Sequence, residues 1–481
     1  MKISFLHEPE LEFGTGRHID IRFGLINYGP LDFDSPSAPK NINLGIVGNL
    51  QTVEGVHNWL ELCRNGIAAK VSKQPNLFPK FPGFEHDKNF YSQLILDDSL
   101  NRSITNREFD SLCDISNSSE IIKEAVNIFW NEFEYLSQNK NVNVILCAVP
   151  LNLLNKMEEG IAKDTEDVVS DPAREIRLDF HDLLKARVME LKIPTQVILP
   201  MTWDKHSRQK QKRRPEKIKQ LQDEATRAWN IHTALYYKAG GKPWRLIREP
   251  SMLTSCYIGI SFYKSIDDSK LFTSVAQIFN ERGEGIIVRG AVANISKEDL
   301  HPHLNDSDAY NLLNDALEKY RAEHRTFPAR IVLHKSSSFN NEEINGFRQS
   351  AESQSIELYD FISLKSSFTR LFRGGAYPPL RGTILSLDNK THILYTKGGI
   401  DFYSTYPGMY VPRTLEFHCD LTDQTPKFLA EEILSLTKMN WNNTQFDGFE
   451  PITLRAARQV GSILKYIDSD KLIEPRYSFY M

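Results

Sequence analysis

No stretch of the chain stays apolar for long enough to cross a bilayer. A spanning helix needs about 20 such residues, and the longest candidate, VILCAVPLNLL, is broken at Pro150 and Asn152. The opening residues, MKISFLHEPE, offer one lysine and too few apolar side chains for a secretory leader. Cysteine is scarce. There are five in 481 residues, an odd number without a CxxC pair, so they read as buried thiols of a reducing compartment. General positive charge is lacking too: the formal net charge is -4, so any contact with a polyanion must come from a local patch. Internal repeats and low-complexity tracts are missing. These absences predict a soluble, cytoplasmic protein.

What is present is ordinary globular composition, 41% hydrophobic with 25% charged, enough for a substantial core. The length exceeds what one core usually supports, which predicts two domains. Residues 1–38, rich in Gly and Pro, read as an extended, linker-like segment across a domain surface. Residues 39–250 alternate strand and amphipathic helix: NINLGIVG before TVEGVHNWLELCRNGI, then EIIKEAVNIFWNEFEYL before NVNVILCAVP, then RLDFHDLLKARVMELK before IPTQVILP. That order predicts an α/β, Rossmann-like domain with a parallel sheet covered on both faces. Residues 251–481 open on strands, CYIGISFYKS and EGIIVRGAV, and continue through a helix from Asp306 to about Glu323 and another from Asn341 to Glu352. They predict a mixed sheet of ribonuclease H-like type. The stripe Tyr310, Leu313, Leu317, Tyr320 reads as core packing.

The sharpest local feature is DKHSRQKQKRRPEKIKQLQDEATRAW. Eight Lys and Arg lie between Lys205 and Lys219 against Glu216 alone. A run of charge is most often a solvated helix face. This one, however, follows the buried strand TQVILP, where ligands bind in open parallel sheets. His206 and Lys210 are four apart and would share a helical face, Gln222 follows, and Lys238 stands just before AGG. Cationic heads, an amide and a close-approach glycine pair are what a terminal phosphate needs, because it carries more charge than an internal phosphodiester.

The spacing His206, Lys210, Gln222, Lys238, closed by YYKAGGKPW, resembles the guide-anchoring motif in the MID domain of Argonautes. The series SCYIGISFY, GEGIIVRGAV, ARIVLHKSS, YPPLRGTIL and FEPITLRAARQVGSIL resembles a PIWI domain in order and content. No segment is long enough for the amino-terminal and PAZ domains, so the likeness is to the short prokaryotic class, with MID at 39–250 and PIWI at 251–481. The resemblance implies a 5'-phosphorylated guide RNA held by His206, Lys210, Gln222 and Lys238. Further backbone contacts would come from Lys205, Arg208, Arg373 and Arg381. In similar proteins the carboxyl end folds back to the 5'-phosphate, which implies that Met481 helps hold Mg2+ there.

Slicing members bind two divalent cations through a carboxylate tetrad. This chain has Ser261, Ser336 and Arg458 at three of those positions, so the resemblance implies binding of a duplex without cleavage. It further implies recognition of single-stranded target DNA, in a heterodimer with an APAZ-containing NADase of sirtuin-like or TIR type, in bacterial defence against plasmids and phages. Two other readings compete: a guided nuclease with non-standard metal ligands, and a structural subunit whose basic face binds only its partner.

Overall fold

The computed structural model describes every residue except 116, 158–177, 205–206, 208–220, 248–252, 268, 280–284, 296–299, 376, 409–410, 446–447, 469–470 and 472. The first lobe begins with short strands β1 (Lys2–Phe5), β2 (Leu11–Glu12) and β3 (Arg17–His18), then helix α1 (Ile21–Tyr28), capped by the Asp20 side chain. Next come β4 (Asn41–Gly48), α2 (Leu50–Arg64), β5 (Gln93–Ile95), β6 (Asn101–Ser103), α3 (Asn106–Cys113) and α4 (Ser118–Asn139). The lobe continues with β7 (Val144–Ala148), α5 (Phe180–Val188), β8 (Thr195–Ile198), α6 (Pro200–Trp203), α7 (Glu224–Lys238) and β9 (Arg245–Leu246). Strands β5, β4, β7 and β8 pair side by side, with β6 also on β4, and every pairing is parallel. β7 is buried at all five positions, as a sheet covered on both faces requires.

The second lobe contains β10 (Ser255–Lys264), β11 (Leu271–Phe279), β12 (Gly285–Val292), β13 (Asn294–Ile295), β14 (Pro302–His303), α8 (Asp306–His324), β15 (Arg330–Lys335) and α9 (Asn341–Ser353). β16 (Leu358–Ser367), β17 (Thr383–Ser386), β18 (Thr391–Leu394), β19 (Thr414–Leu421), α10 (Pro426–Leu436) and α11 (Ile452–Leu464) complete it. Its nine-stranded sheet runs β1-β17-β18-β19-β16-β15-β10-β11-β12. β15 lies parallel to both β10 and β16, and the flanking pairings are antiparallel, so the sheet is mixed. α11 lies so close to the sheet that a Cβ on Gly259 would come 2.1 Å from the Thr453 carbonyl oxygen. Leu313, Leu317 and Tyr320 of α8 are buried against that sheet, as their spacing predicts, whereas Tyr310, the first of the expected stripe, is only half-buried with its hydroxyl toward Ser353.

The opening segment departs from the linker-like reading of 1–38. Leu6, Leu11, Phe13, Ile21 and Leu25 are buried, β1 forms one edge of the second lobe's sheet, and β2 pairs with β9 at the end of the first lobe. The cause is charge as well as apolar burial. Glu8 receives Arg381 at 2.8 Å and Lys438 at 3.2 Å, and the Tyr403 hydroxyl donates to Asp20. One continuous apolar cluster runs from Leu44 and Val144 through Trp229 and Tyr236 to Leu434 and Ile463, so the two lobes share a core.

Candidate nucleic-acid interface

The site is set by how α7 ends. Its first turn is capped by Asp223, which accepts from the Thr226 amide, and Ala225, Ala228, Trp229, Leu235 and Tyr236 bury one side. Gly240, at φ +98, and Gly241 then turn the chain, and a Cβ at Gly241 would strike the Tyr236 ring at 2.3 Å. Asp32 of the opening segment fixes this turn, accepting from the Tyr236 hydroxyl at 2.7 Å and the Lys242 amide at 2.9 Å. Lys238, the last helical residue, is thereby held buried, its ammonium donating to the main-chain oxygens of Met481 and, at 3.4 Å, Ser478.

Lys185 of α5 reaches the same place. Its ammonium donates to the Met481 oxygen at 2.9 Å and to the Thr195 carbonyl, with the side chain fully buried. Two ammonium groups in one dry pocket oppose each other's charge. Burial lowers Lys185 from 10.5 to about 8. Burial, and after it the Lys185 charge, hold Lys238 well below the ordinary lysine range. Such a pair is ready to take up an anion.

Beside it opens a cleft of about 660 Å³ between the lobes, at the amino ends of β7 and β8. Lys192, Lys238, Lys242, Lys319 and Arg476 line it, and Glu323 is the one carboxylate side chain among the described lining residues. Tyr237, Trp441 and Tyr477 add aromatic surface. The Trp441 indole N–H and the Tyr477 hydroxyl are buried with no hydrogen-bond partner among the described residues. A buried donor without a partner costs free energy unless water or a ligand meets it. Cations, aromatic faces and waiting donors together suit a phosphorylated, base-bearing ligand.

Of the residues expected at this site, Lys238 and Met481 come together. His206, Lys210, Lys205 and Arg208 lie outside the described residues. Gln222 does not join Lys238. Gln222 precedes α7 and Lys238 is its last residue, so the length of the helix, about 21 Å at about 1.5 Å per residue, lies between them. The exposed Gln222 amide instead donates to Gln445 at 2.7 Å and accepts from Asn230 at 3.2 Å. Arg381 is also no surface contact: it is buried and donates to Glu8, the Thr396 and Leu434 carbonyls and the Thr437 hydroxyl. Arg373 is exposed and lines a second cleft. Sequence reasoning does not single out Lys185; its one signal is its place among Leu184, Ala186 and Val188, the residues that α5 buries.

Mg2+ at Met481 meets a donor set that does not suit it. A hard cation needs several oxygen ligands, whereas the described side chains on the Met481 oxygen are two ammonium groups. Of the residues that the resemblance sets at tetrad positions, Ser261 is buried on β10, Ser336 follows β15, and Arg458 is exposed, in a bidentate pair with Glu450 at 2.8 and 2.9 Å. The carboxylate beside Ser336's neighbour Lys335 is committed: Glu343 pairs with the Lys335 ammonium at 2.7 Å and accepts from the Leu304 and Asn340 amides, all in the interior.

Three solved structures share the fold. Clostridium butyricum Argonaute bound to a guide DNA and a 19-mer target DNA is 17% identical, with a TM-score of 0.64, covering 99% of this chain and 54% of that one. Drosophila Piwi is 12% identical, with a TM-score of 0.59, covering 99% and 56%. Aa-Ago with externally bound siRNA is 13% identical, with a TM-score of 0.60, covering 99% and 56%. The chain thus spans about half the length of each. No curated protein matches it. The Piwi domain profile matches residues 172–463, more than half of the 481. On that match, with the mixed sheet behind it, the chain belongs to the Piwi domain family, and its fold is shared with the Argonaute structures.

Proposed function

We propose that this chain is a short Argonaute, of MID and PIWI lobes at 39–250 and 251–481, that holds a 5'-phosphorylated guide RNA and recognises single-stranded DNA without cutting it. The observation that carries the reading is the convergence of the buried Lys185 and Lys238 ammonium groups on one oxygen of Met481, with Lys238 also lining a basic, aromatic cleft. The guide's terminal phosphate adds negative charge beside this pair, and Trp441 and Tyr477 offer donors to the first nucleotide. Pairing to the guide reads sequence, while the protein holds backbone and shape.

Ser261, Ser336 and Arg458 supply hydroxyls and a guanidinium where metal ions would require carboxylates, which supports a binder over a nuclease. Output then needs a second chain. By resemblance this is an APAZ-containing subunit with sirtuin-like or TIR NADase activity, which depletes NAD in bacterial defence once the target pairs.

The test is to give purified protein, with and without Mg2+, a labelled guide carrying 5'-phosphate or 5'-hydroxyl and a matched DNA strand. Tight binding that prefers the phosphate and leaves the DNA intact is expected. Cleavage products would establish the nuclease alternative, and equal affinity for both guides would remove the phosphate site.

A further inference from the structure

The loop after β16 exposes aromatic side chains that a monomeric surface rarely leaves bare. Phe368 is 86% exposed and Phe372 89%, with Tyr377 half exposed beyond them. The loop itself is fastened. The Leu371 amide donates to the Tyr395 hydroxyl at 2.7 Å, the Thr414 hydroxyl to the Thr369 carbonyl at 2.9 Å, and Arg370 to the Ser367 and Thr369 carbonyls at 3.0 and 2.9 Å. A pinned backbone thus presents two rings outward with arginines between and beside them. The run SSFTRLFRGGAYPPLR, residues 366–381, contains no acid.

Behind it lies a cleft of about 710 Å³ lined by Arg373, Tyr377, Pro378, Ile400 and Tyr406, with Asp401 its one carboxylate among the described residues. It shares no lining residue with the Lys185–Lys238 site.

We propose that Phe368, Phe372 and the Tyr377 cleft form a stacking platform for unpaired bases of a nucleic-acid strand. Exposed rings on a rigid loop interleaved with arginine match what single strands require: π-faces for bases, cations for the phosphates between them, and no fixed sequence. Rings and arginines also suit protein partners, but a run of sixteen residues without an acid favours a polyanionic strand. The platform rests on the reading that this chain handles guide and target strands, yet it is a separate surface from the phosphate site.

The experiment uses the full chain and a 5'-hydroxyl, single-stranded oligodeoxynucleotide carrying 2-aminopurine, read by anisotropy and by fluorescence quenching. The substitutions are exposed, so folding should survive them. Phe368→Leu with Phe372→Leu should weaken binding about tenfold and remove quenching, while the Phe368→Tyr, Phe372→Tyr pair should keep both. A fully paired duplex should show no quenching. If the leucine pair binds and quenches like the wild type, the rings do not stack on bases and the proposal fails. It fails too if the wild type gives no quenching, which would leave the patch as apolar surface for a protein. Preference for a 5'-phosphate, measured on the same leucine pair, reports the guide site separately: its loss in every form including the wild type would sink the guide reading and leave the platform standing.

Discussion

Lys185 and Lys238, on two different helices, donate to the same acceptor, the main-chain oxygen of Met481. Burial lowers the proton affinity of both, and the Lys185 charge lowers that of Lys238 further. An anion relieves that tension.

Lys185→Met with Lys238→Met should weaken binding of a 5'-phosphorylated guide by roughly ten- to a hundredfold, since a hydrogen bond to a charged group contributes about 1.5–3 kcal/mol. Binding of a 5'-hydroxyl guide should barely change. Titration of both guides into both proteins decides it; an undiminished phosphate preference in the variant would remove the pair from the site.

Affinity should also depend on pH in a definite direction. Burial brings Lys185 to about 8 from 10.5, so the free protein loses this charge as pH rises through 8. Phosphate-guide affinity should therefore be full at pH 7 and fall about tenfold by pH 9. Stability has the opposite slope. Between pH 8 and 10 the unfolded chain keeps the proton that the fold sheds, so the guide-free wild type should gain stability there relative to Lys185→Met. Binding isotherms and denaturant midpoints at the two ends of the range test each slope.

Chelation should be without effect. Because ammonium groups stand at the Met481 oxygen, guide affinity in EDTA should equal that in Mg2+. A drop of tenfold or more on chelation would restore the metal to this site.

Arg381→Met should cost about 3–5 kcal/mol, because it breaks a buried ion pair and strands the buried acceptors that the guanidinium serves. Glu8 would keep only Lys438, and two carbonyls and a hydroxyl would lose their donor. Urea midpoints give the size. Limited proteolysis should show earlier cutting within the first twenty residues, and an unchanged pattern would mean that Arg381 does not hold that segment.

Much of the fold was legible because it is written locally. The helices α8, α9, α10 and α11 carry their apolar spacing on the surface of the sequence, and β7 and β10 are continuous apolar runs. What stayed hidden is long-range. Gly14, Gly16 and Pro30 disguise a segment whose Leu6, Leu11 and Phe13 are core, and nothing near Lys2–Phe5 announces a partner strand at Thr383–Ser386. The site was half visible. Lys238 stood out beside its glycines, but Gln222 was grouped with it although the whole of α7 separates them. Lys185 looked like any solvated lysine, and Arg381, beside a proline turn, like a surface arginine. Only the converging acceptors explain why both are inside.

The opening segment has one more implication. It contributes a strand to the second sheet, pairs with β9, and grips the glycine turn through Asp32. The two lobes are therefore sutured by the same thread that anchors the wall of the basic cleft. Prising the halves apart cannot be a free swing; it must first unpick that seam, and whatever tugs on the thread gains leverage over the grip on the ligand.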